Sequence, residues 1–219
     1  MSRRPRILVI NPNSNEAVTE GLRQALVPLA FAEGPELICE TLNEGPIGIE
    51  TQEHVESVTL PLRRRIEAAN DVDAFVIACY SDPGLHVARE GTASPVFGIA
   101  ECGVLTALTR ADRFGVIAIK SRSIPRHIRY LRQMGQMDRL AGERPLEMSV
   151  AESASGEGTL QRMITVGREL RDEDGAGAII MGCAGMARHR RPLEDALGIP
   201  VIDPTQAAVA MAIGTVMVR

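Results

Sequence analysis

Short apolar runs alternate with longer amphipathic stretches along the whole chain. Residues 7–10, 37–39, 75–78, 96–99, 114–119, 178–181 and 201–202 read as strands. Residues 15–31, 51–69, 103–110, 123–134, 159–171, 187–196 and 205–218 carry the helical period. Continuous apolar strands interleaved with helices predict parallel sheets covered on both faces, an α/β design. In such sheets ligands collect at the carboxyl ends of the strands, so the chemistry is sought there. The most loop-like stretch is 141–158, rich in glycine and serine and expected to hold a short strand at 146–150.

The pattern also repeats. Residues 6–14 align with 113–121, residues 73–79 with 177–183, and Pro95-Val96 with Pro200-Val201, at offsets of 107, 104 and 105. Two similar halves are expected, 1–98 and 99–204, with the last helix, 205–219, packing back onto the first. The chain has 219 residues, enough to bury about 70% of its unfolded surface without staples.

Composition narrows the function. A net charge of −4 argues against general nucleic-acid binding, and 3% aromatics with no Trp argue against base-stacking surfaces. No apolar run reaches the roughly 18 residues of a membrane span, and no signal-peptide pattern opens the chain, so a cytoplasmic protein with no membrane partner is expected. Cys39, Cys79, Cys102 and Cys183 lie tens of residues apart, without a Cys-x-x-Cys pair, so no metal site is expected. Cys39 and Cys102 read as small packing residues.

Cys79 and Cys183 differ from these. Each ends an apolar strand at matching places in the repeat, and each precedes a glycine-containing turn, Tyr80-Ser81-Asp82-Pro83-Gly84 or Ala184-Gly185-Met186. Both sulfurs are expected at helix N-termini, a placement that lowers a thiol pKa. Two thiols flanking one cleft permit removal of a proton from one face of a carbon and delivery to the other. That is two-base racemisation, which calls for no cofactor.

The residues Asn11-Pro12-Asn13-Ser14, Gly45-Pro46 with Ile49-Glu50, Ala78-Cys79 with Asp82-Pro83-Gly84-Leu85, Gly98-Ile99-Ala100-Glu101 and Gly182-Cys183-Ala184-Gly185-Met186 run in order along the chain. In these the sequence resembles the aspartate/glutamate racemase superfamily, and within it the hydantoin and allantoin racemases. The resemblance implies two pseudo-symmetric flavodoxin-like halves, a small-molecule site between them, paired catalytic cysteines and a homo-oligomer. It also implies that Asn13, Ser14 and the main chain after each cysteine (Tyr80, Ser81, Ala184, Gly185) hold the substrate's polar atoms. The amino-acid racemases of this superfamily carry Cys-Asn-Thr and Cys-Thr-His; here Cys79-Tyr80-Ser81 and Cys183-Ala184-Gly185 stand instead, which suits a neutral cyclic ureide better than a free amino acid. Arylmalonate decarboxylases keep one cysteine, so decarboxylation is disfavoured. Amino-acid racemisation, cis–trans isomerisation of a dicarboxylate by cysteine, and a non-catalytic metabolite-binding role stay open.

One departure bears on the substrate. Hydantoin racemases carry Thr-Thr where this chain has Ala118-Ile119-Lys120-Ser121, and Lys120 is its sole lysine against 23 arginines. Lys120 and Ser121 are therefore expected at the substrate, Lys120 opposite Asn13 and able to attract an anionic arm. His86 and His189 read as surface residues, and Arg122, Arg126, Arg129 and Arg132, with His127 beside them, as a solvated helix face or subunit contact. Glu50 and Glu101 fit either a surface role or a supporting one at the site.

Overall fold

The computed structural model describes residues 3–155 and 158–218; Met1, Ser2, Gly156, Glu157 and Arg219, which the two outer segments and the loop-like stretch included, lie outside the described residues. β1 (Arg6–Asn11), β2 (Glu36–Thr41), β3 (Ala74–Ile77) and β4 (Val96–Gly98) form an all-parallel sheet in the order β2-β1-β3-β4. β5 (Phe114–Ala118), β6 (Leu140–Pro145), β7 (Ala178–Met181) and β8 (Val201–Ile202) form a second, in the equivalent order β6-β5-β7-β8. In the first sheet Ile7 faces Ala74 and Ile10 faces Ile77; in the second Phe114 faces Ala178 and Ile117 faces Met181. The apolar runs become central strands because both of their faces are covered, and β3, β5 and β7 are buried at every position.

Ten helices are described: α1 (Glu16–Leu26), α2 (Gln52–Ser57), α3 (Thr59–Glu67), α4 (Leu85–Glu90), α5 (Ile99–Leu108), α6 (Ile124–Gln133), α7 (Val150–Ser155), α8 (Thr159–Asp172), α9 (Arg190–Leu197) and α10 (Pro204–Met217). Ile99 and Val104 of α5, with Ala208 and Val209 of α10, share one apolar cluster with Val9 and Val76 of the first sheet and Val116 and Ile180 of the second. These two helices join the sheets. At their closest approach a Cβ on Gly103 would stand 3.0 Å from the Pro204 ring. α2, α3 and α4 cover the far face of the first sheet, and α8 and α9 that of the second. α10 lies against β1, β3 and β4, and its Gln206 side chain donates to the Ala25 carbonyl at 2.8 Å.

Among the elements that differ from the sequence expectation, three have a plain physical cause. The helix expected over 51–69 breaks at Val58, because Pro61 has no N–H to give and its ring clashes with the carbonyl four residues back. The strand expected at 146–150 is displaced: β6 is Leu140–Pro145, an edge strand half-exposed along its length. It is held by Arg144, whose guanidinium meets Glu169, Glu173 and Asp174 on the α8 side. Pro145 is tolerated because it is the last residue of an edge. The helix expected over 15–31 stops at Leu26, and Pro28 shapes a short 3₁₀ turn, Val27–Leu29.

Candidate active site

The two halves deliver Cys79 and Cys183 by the same device. Ala78 N–H bonds the Ile10 carbonyl and Gly182 N–H bonds the Ile117 carbonyl, each at 2.8 Å, extending β3 and β7 by one residue before the cysteine. At Gly182 a side chain has no room, since the Ile117 carbonyl oxygen would stand 2.6 Å from its Cβ. Two residues on, the main-chain N–H of Ser81 donates to the Cys79 sulfur and that of Gly185 to the Cys183 sulfur.

Both thiols line one pocket, together with Asn13, Tyr80, Ser81, Ala184, Gly185, Arg126 and His127, and with Val18, Ile49, Ile119 and Val150 as apolar wall. That mixture of an apolar wall with a few polar groups suits a small organic ligand. Ser14, Lys120 and Ser121 are not on its wall. Ser14 N–H bonds the Pro46 carbonyl at 2.9 Å, and exposed Ser121 donates its N–H to Glu147 at 3.2 Å. The expected free ammonium at the cleft is corrected: Lys120 Nζ lies 2.6 Å from Glu50 Oε2, which Arg122 also meets at 2.8 Å. Burial would raise the Glu50 carboxyl, but Lys120, the Val150 N–H and Arg122 override it and hold it below the ordinary value.

The expected lowering of the thiol pKa is also overturned. Burial pushes Cys79 up to about 12 against the opposing Ser81 N–H and Arg126, and the proximity of Cys183 adds to the rise. Burial likewise raises Cys183, against the Gly185 N–H and the Ser153 hydroxyl, which lies 3.7 Å from its sulfur. Removal from water outweighs one N–H donor because a thiolate loses its whole hydration shell.

Asn13 is held rigidly. Its Oδ1 accepts from Asn11 Nδ2 at 3.1 Å and from Asn15 N–H at 2.9 Å, while Asn11 Oδ1 accepts the Asn13 N–H at 3.1 Å. The carbonyl side of the amide is thereby spent, and among the described residues Nδ2 meets no acceptor. A Cβ on Gly45 would fall 2.1 Å from the Pro12 carbonyl oxygen, so only glycine lets residues 42–50 pass this close. Behind Cys79, buried Asp82 accepts the Ala100 and Glu101 N–H groups at 2.9 and 2.8 Å, tying the cysteine turn to the start of α5. Burial pushes Asp82 up to about 7 despite those donors and the Tyr130 hydroxyl. Gly98 leaves the space it needs, for a Cβ there would sit 2.3 Å from the carboxyl carbon.

The solvated face expected on α6 is corrected in part. His127 is only 5% exposed, and Arg126 is half-buried with its Nε donating to Ser81 Oγ at 2.9 Å. Exposed Arg122 and Arg129 keep the expected character. Sequence reasoning misses Arg126, His127 and Ser153 as site residues because the arginine spacing along α6 reads as a solvated face and 141–158 reads as loop. The pairing of His127 with Glu143 had no local signal, since it joins α6 to an edge strand. His86 is exposed as expected. Glu101 binds Arg89 and gives its N–H to Asp82.

Residues 7–212 match the family described as Asp/Glu/Hydantoin racemase. The chain belongs to that family. It is 38% identical over 212 residues to the hydantoin racemase of Paenarthrobacter aurescens, covering 94% of this chain and 89% of that one. It is 36% identical to the hydantoin racemase of Pseudomonas sp. (strain NS671), with 94% and 84% covered. Among solved structures, the allantoin racemase of Klebsiella pneumoniae superposes with a TM-score of 0.91 at 33% identity, over 98% of this chain and 88% of that one. The protein is thus an isomerase, a racemase, on two four-stranded parallel sheets flanked by helices. Among its described residues no helix is long and apolar enough to cross a membrane.

Proposed function

We propose that the protein racemises a 5-substituted hydantoin or an allantoin-like cyclic ureide, with Cys79 and Cys183 as the acid–base pair. The observation that carries this reading is the meeting of the two thiols, from equivalent strand ends of the two sheets, in one largely apolar cavity. Charging either sulfur makes charging the other harder, so the pair carries at most one thiolate, with a thiol opposite it. One base and one acid is the state that inversion at a carbon requires. The thiolate takes the ring proton from one face, an enolate forms, and the opposite thiol protonates the other face. A second enantiomer runs the same steps with the roles exchanged, and no cofactor enters.

The relatives' names favour this substrate class, and so does the wall. Val18, Ile49, Ile119 and Val150 suit an uncharged ring, and the N–H groups of Tyr80 and Ala184, one residue past each sulfur, find no protein acceptor among the described residues. The N–H groups of Ser81 and Gly185 are already given to sulfur, so they serve the thiolates rather than the ring. The test is a panel of single-enantiomer substrates, hydantoins with aliphatic, aromatic and carboxylate arms, allantoin, aspartate and glutamate, followed by loss of optical rotation. Racemisation of the ureides and not of the amino acids is the expected result; the reverse order overturns the substrate assignment.

A further inference from the structure

Arg126 is a cation on the cavity wall whose hydrogen bonds, among the described residues, go to neutral groups. Its Nε donates to Ser81 Oγ at 2.9 Å and its Nη1 to the Glu50 carbonyl at 3.4 Å. Neither nearby carboxylate bonds it among the described residues: Glu50 pairs with Lys120 and Arg122, and Glu143 with His127 at 2.5 Å. A half-buried guanidinium without a carboxylate is costly unless something in the cavity supplies the negative charge. The frame around it is built from both halves of the molecule. Glu143 fixes the His127 ring, which meets the edge of Tyr80 with centroids 5.1 Å apart and brings Nε2 to 3.5 Å from Ser81 Oγ. Ser81 thus holds Arg126 with its hydroxyl and the Cys79 sulfur with its N–H.

Among the described residues Cys183 has nothing equivalent. Its side-chain neighbour is the neutral Ser153 hydroxyl at 3.7 Å, and the charges acting on it, Glu50 and Asp203, are both acidic. The groups acting on Cys79 are Arg126, opposed by Asp82 and Cys183; those acting on Arg126 are Cys79 and Glu143 on one side and Arg122 and Arg129 on the other.

We propose that Arg126 is the countercharge of the Cys79 thiolate, a positioning residue that makes the two thiols unequal. Its cation meets the charge that forms when Cys79 gives up its proton, whereas a charge formed at Cys183 meets only acidic neighbours. This rests on the two-thiol reading above. After a turnover that starts from the Cys79 thiolate, the Cys79 thiol holds the substrate's proton and Cys183 has lost its own, so the charge stands away from Arg126. Return to the starting state moves one proton from Cys79 to Cys183 through solvent.

The test is the pH dependence of alkylation by iodoacetamide, mapped to each cysteine, in wild type, Arg126→Gln and Arg126→Lys. Loss of the cation raises the Cys79 pKa, so in Arg126→Gln the Cys79 midpoint moves up by about one unit and labelling at neutral pH slows about tenfold. The Cys183 midpoint does not rise with it, Arg126→Lys retains most of the wild-type behaviour, and the racemisation profile of Arg126→Gln moves alkaline with little change in KM. Faster labelling of Cys79 at an unmoved midpoint would mean that the wall had simply opened, and overturns the proposal. So does an equal shift at both thiols. If wild type racemises no cyclic ureide, the substrate reading fails while the labelling contrast still decides the role of Arg126.

Discussion

A thiol buried in an apolar cavity is harder to ionise, but once ionised it is a stronger base. In the proposed reaction that exchange matters at Cys79 and Cys183, because the α-proton of a ureide is weakly acidic and a thiolate of ordinary pKa would remove it slowly. The enolate that forms needs a donor already in place. Asn13 is the side chain suited to this, since its Oδ1 is fixed by Asn11 and Asn15 and its Nδ2 meets no acceptor among the described residues. Asn13→Ala is expected to raise the barrier by about 2–4 kcal/mol, lowering kcat more than it raises KM. A pure KM effect in steady-state kinetics would remove Asn13 from that role. The residues that carry chemistry on a local signal, two cysteines before glycine turns and an Asn-Pro-Asn-Ser loop, could be read from the chain directly. Arg126 and Lys120 could not. Both are cations near the same mouth, and only the three-dimensional placement of Glu50 decides which of them is neutralised.

At the level of elements, the two cysteine turns are fastened to the fold by different means. Asp82 caps the start of α5 from a distance, whereas at the matching place after Cys183 stands Met186, fully buried and held by packing. Asp203 caps α10 from its own N-terminus, accepting the Gln206 N–H at 2.8 Å. Asp82→Asn puts an amide N–H₂ against one of two N–H donors and is expected to cost about 1–3 kcal/mol of stability, with activity falling because the Cys79 turn loosens. Because the folded-state pKa of Asp82 is raised, the native state binds its proton more tightly than the unfolded state does. Its contribution to wild-type stability is therefore full below about pH 4 and declines as pH rises towards about 7. Urea melts across that range should show this decline flattened in Asp82→Asn; an unchanged slope contradicts the assignment. Capping over such a sequence distance leaves no pattern in the chain, which is why Asp82 was readable as a turn residue and no more. Strand β6 was misplaced for a related reason: its polar composition is stabilised by Arg144 and edge pairing rather than by its own apolar period.

The whole molecule works as a pair of sheets that each contribute one thiol, with α5 and α10 setting how they meet. The repeat offsets of 107, 104 and 105 made the matching strand ends legible before any coordinates, because an apolar strand buried on both faces leaves a continuous run in the sequence. What the repeat conceals is the asymmetry between the two ends, with Arg126 and Asp82 at Cys79 and Ser153 and Met186 at Cys183. The central claim, that each thiol serves one face of one substrate, is tested most directly by deuterium incorporation from D₂O into each separate enantiomer of a hydantoin, with Cys79→Ser and Cys183→Ser. Each variant is expected to lose racemisation by orders of magnitude, because a serine hydroxyl is a far weaker base than a thiolate. Each is also expected to keep exchange, above the enzyme-free rate, in one enantiomer only, with the retained enantiomer opposite in the two variants. Exchange of both enantiomers by either variant, or of the same one by both, would contradict the account.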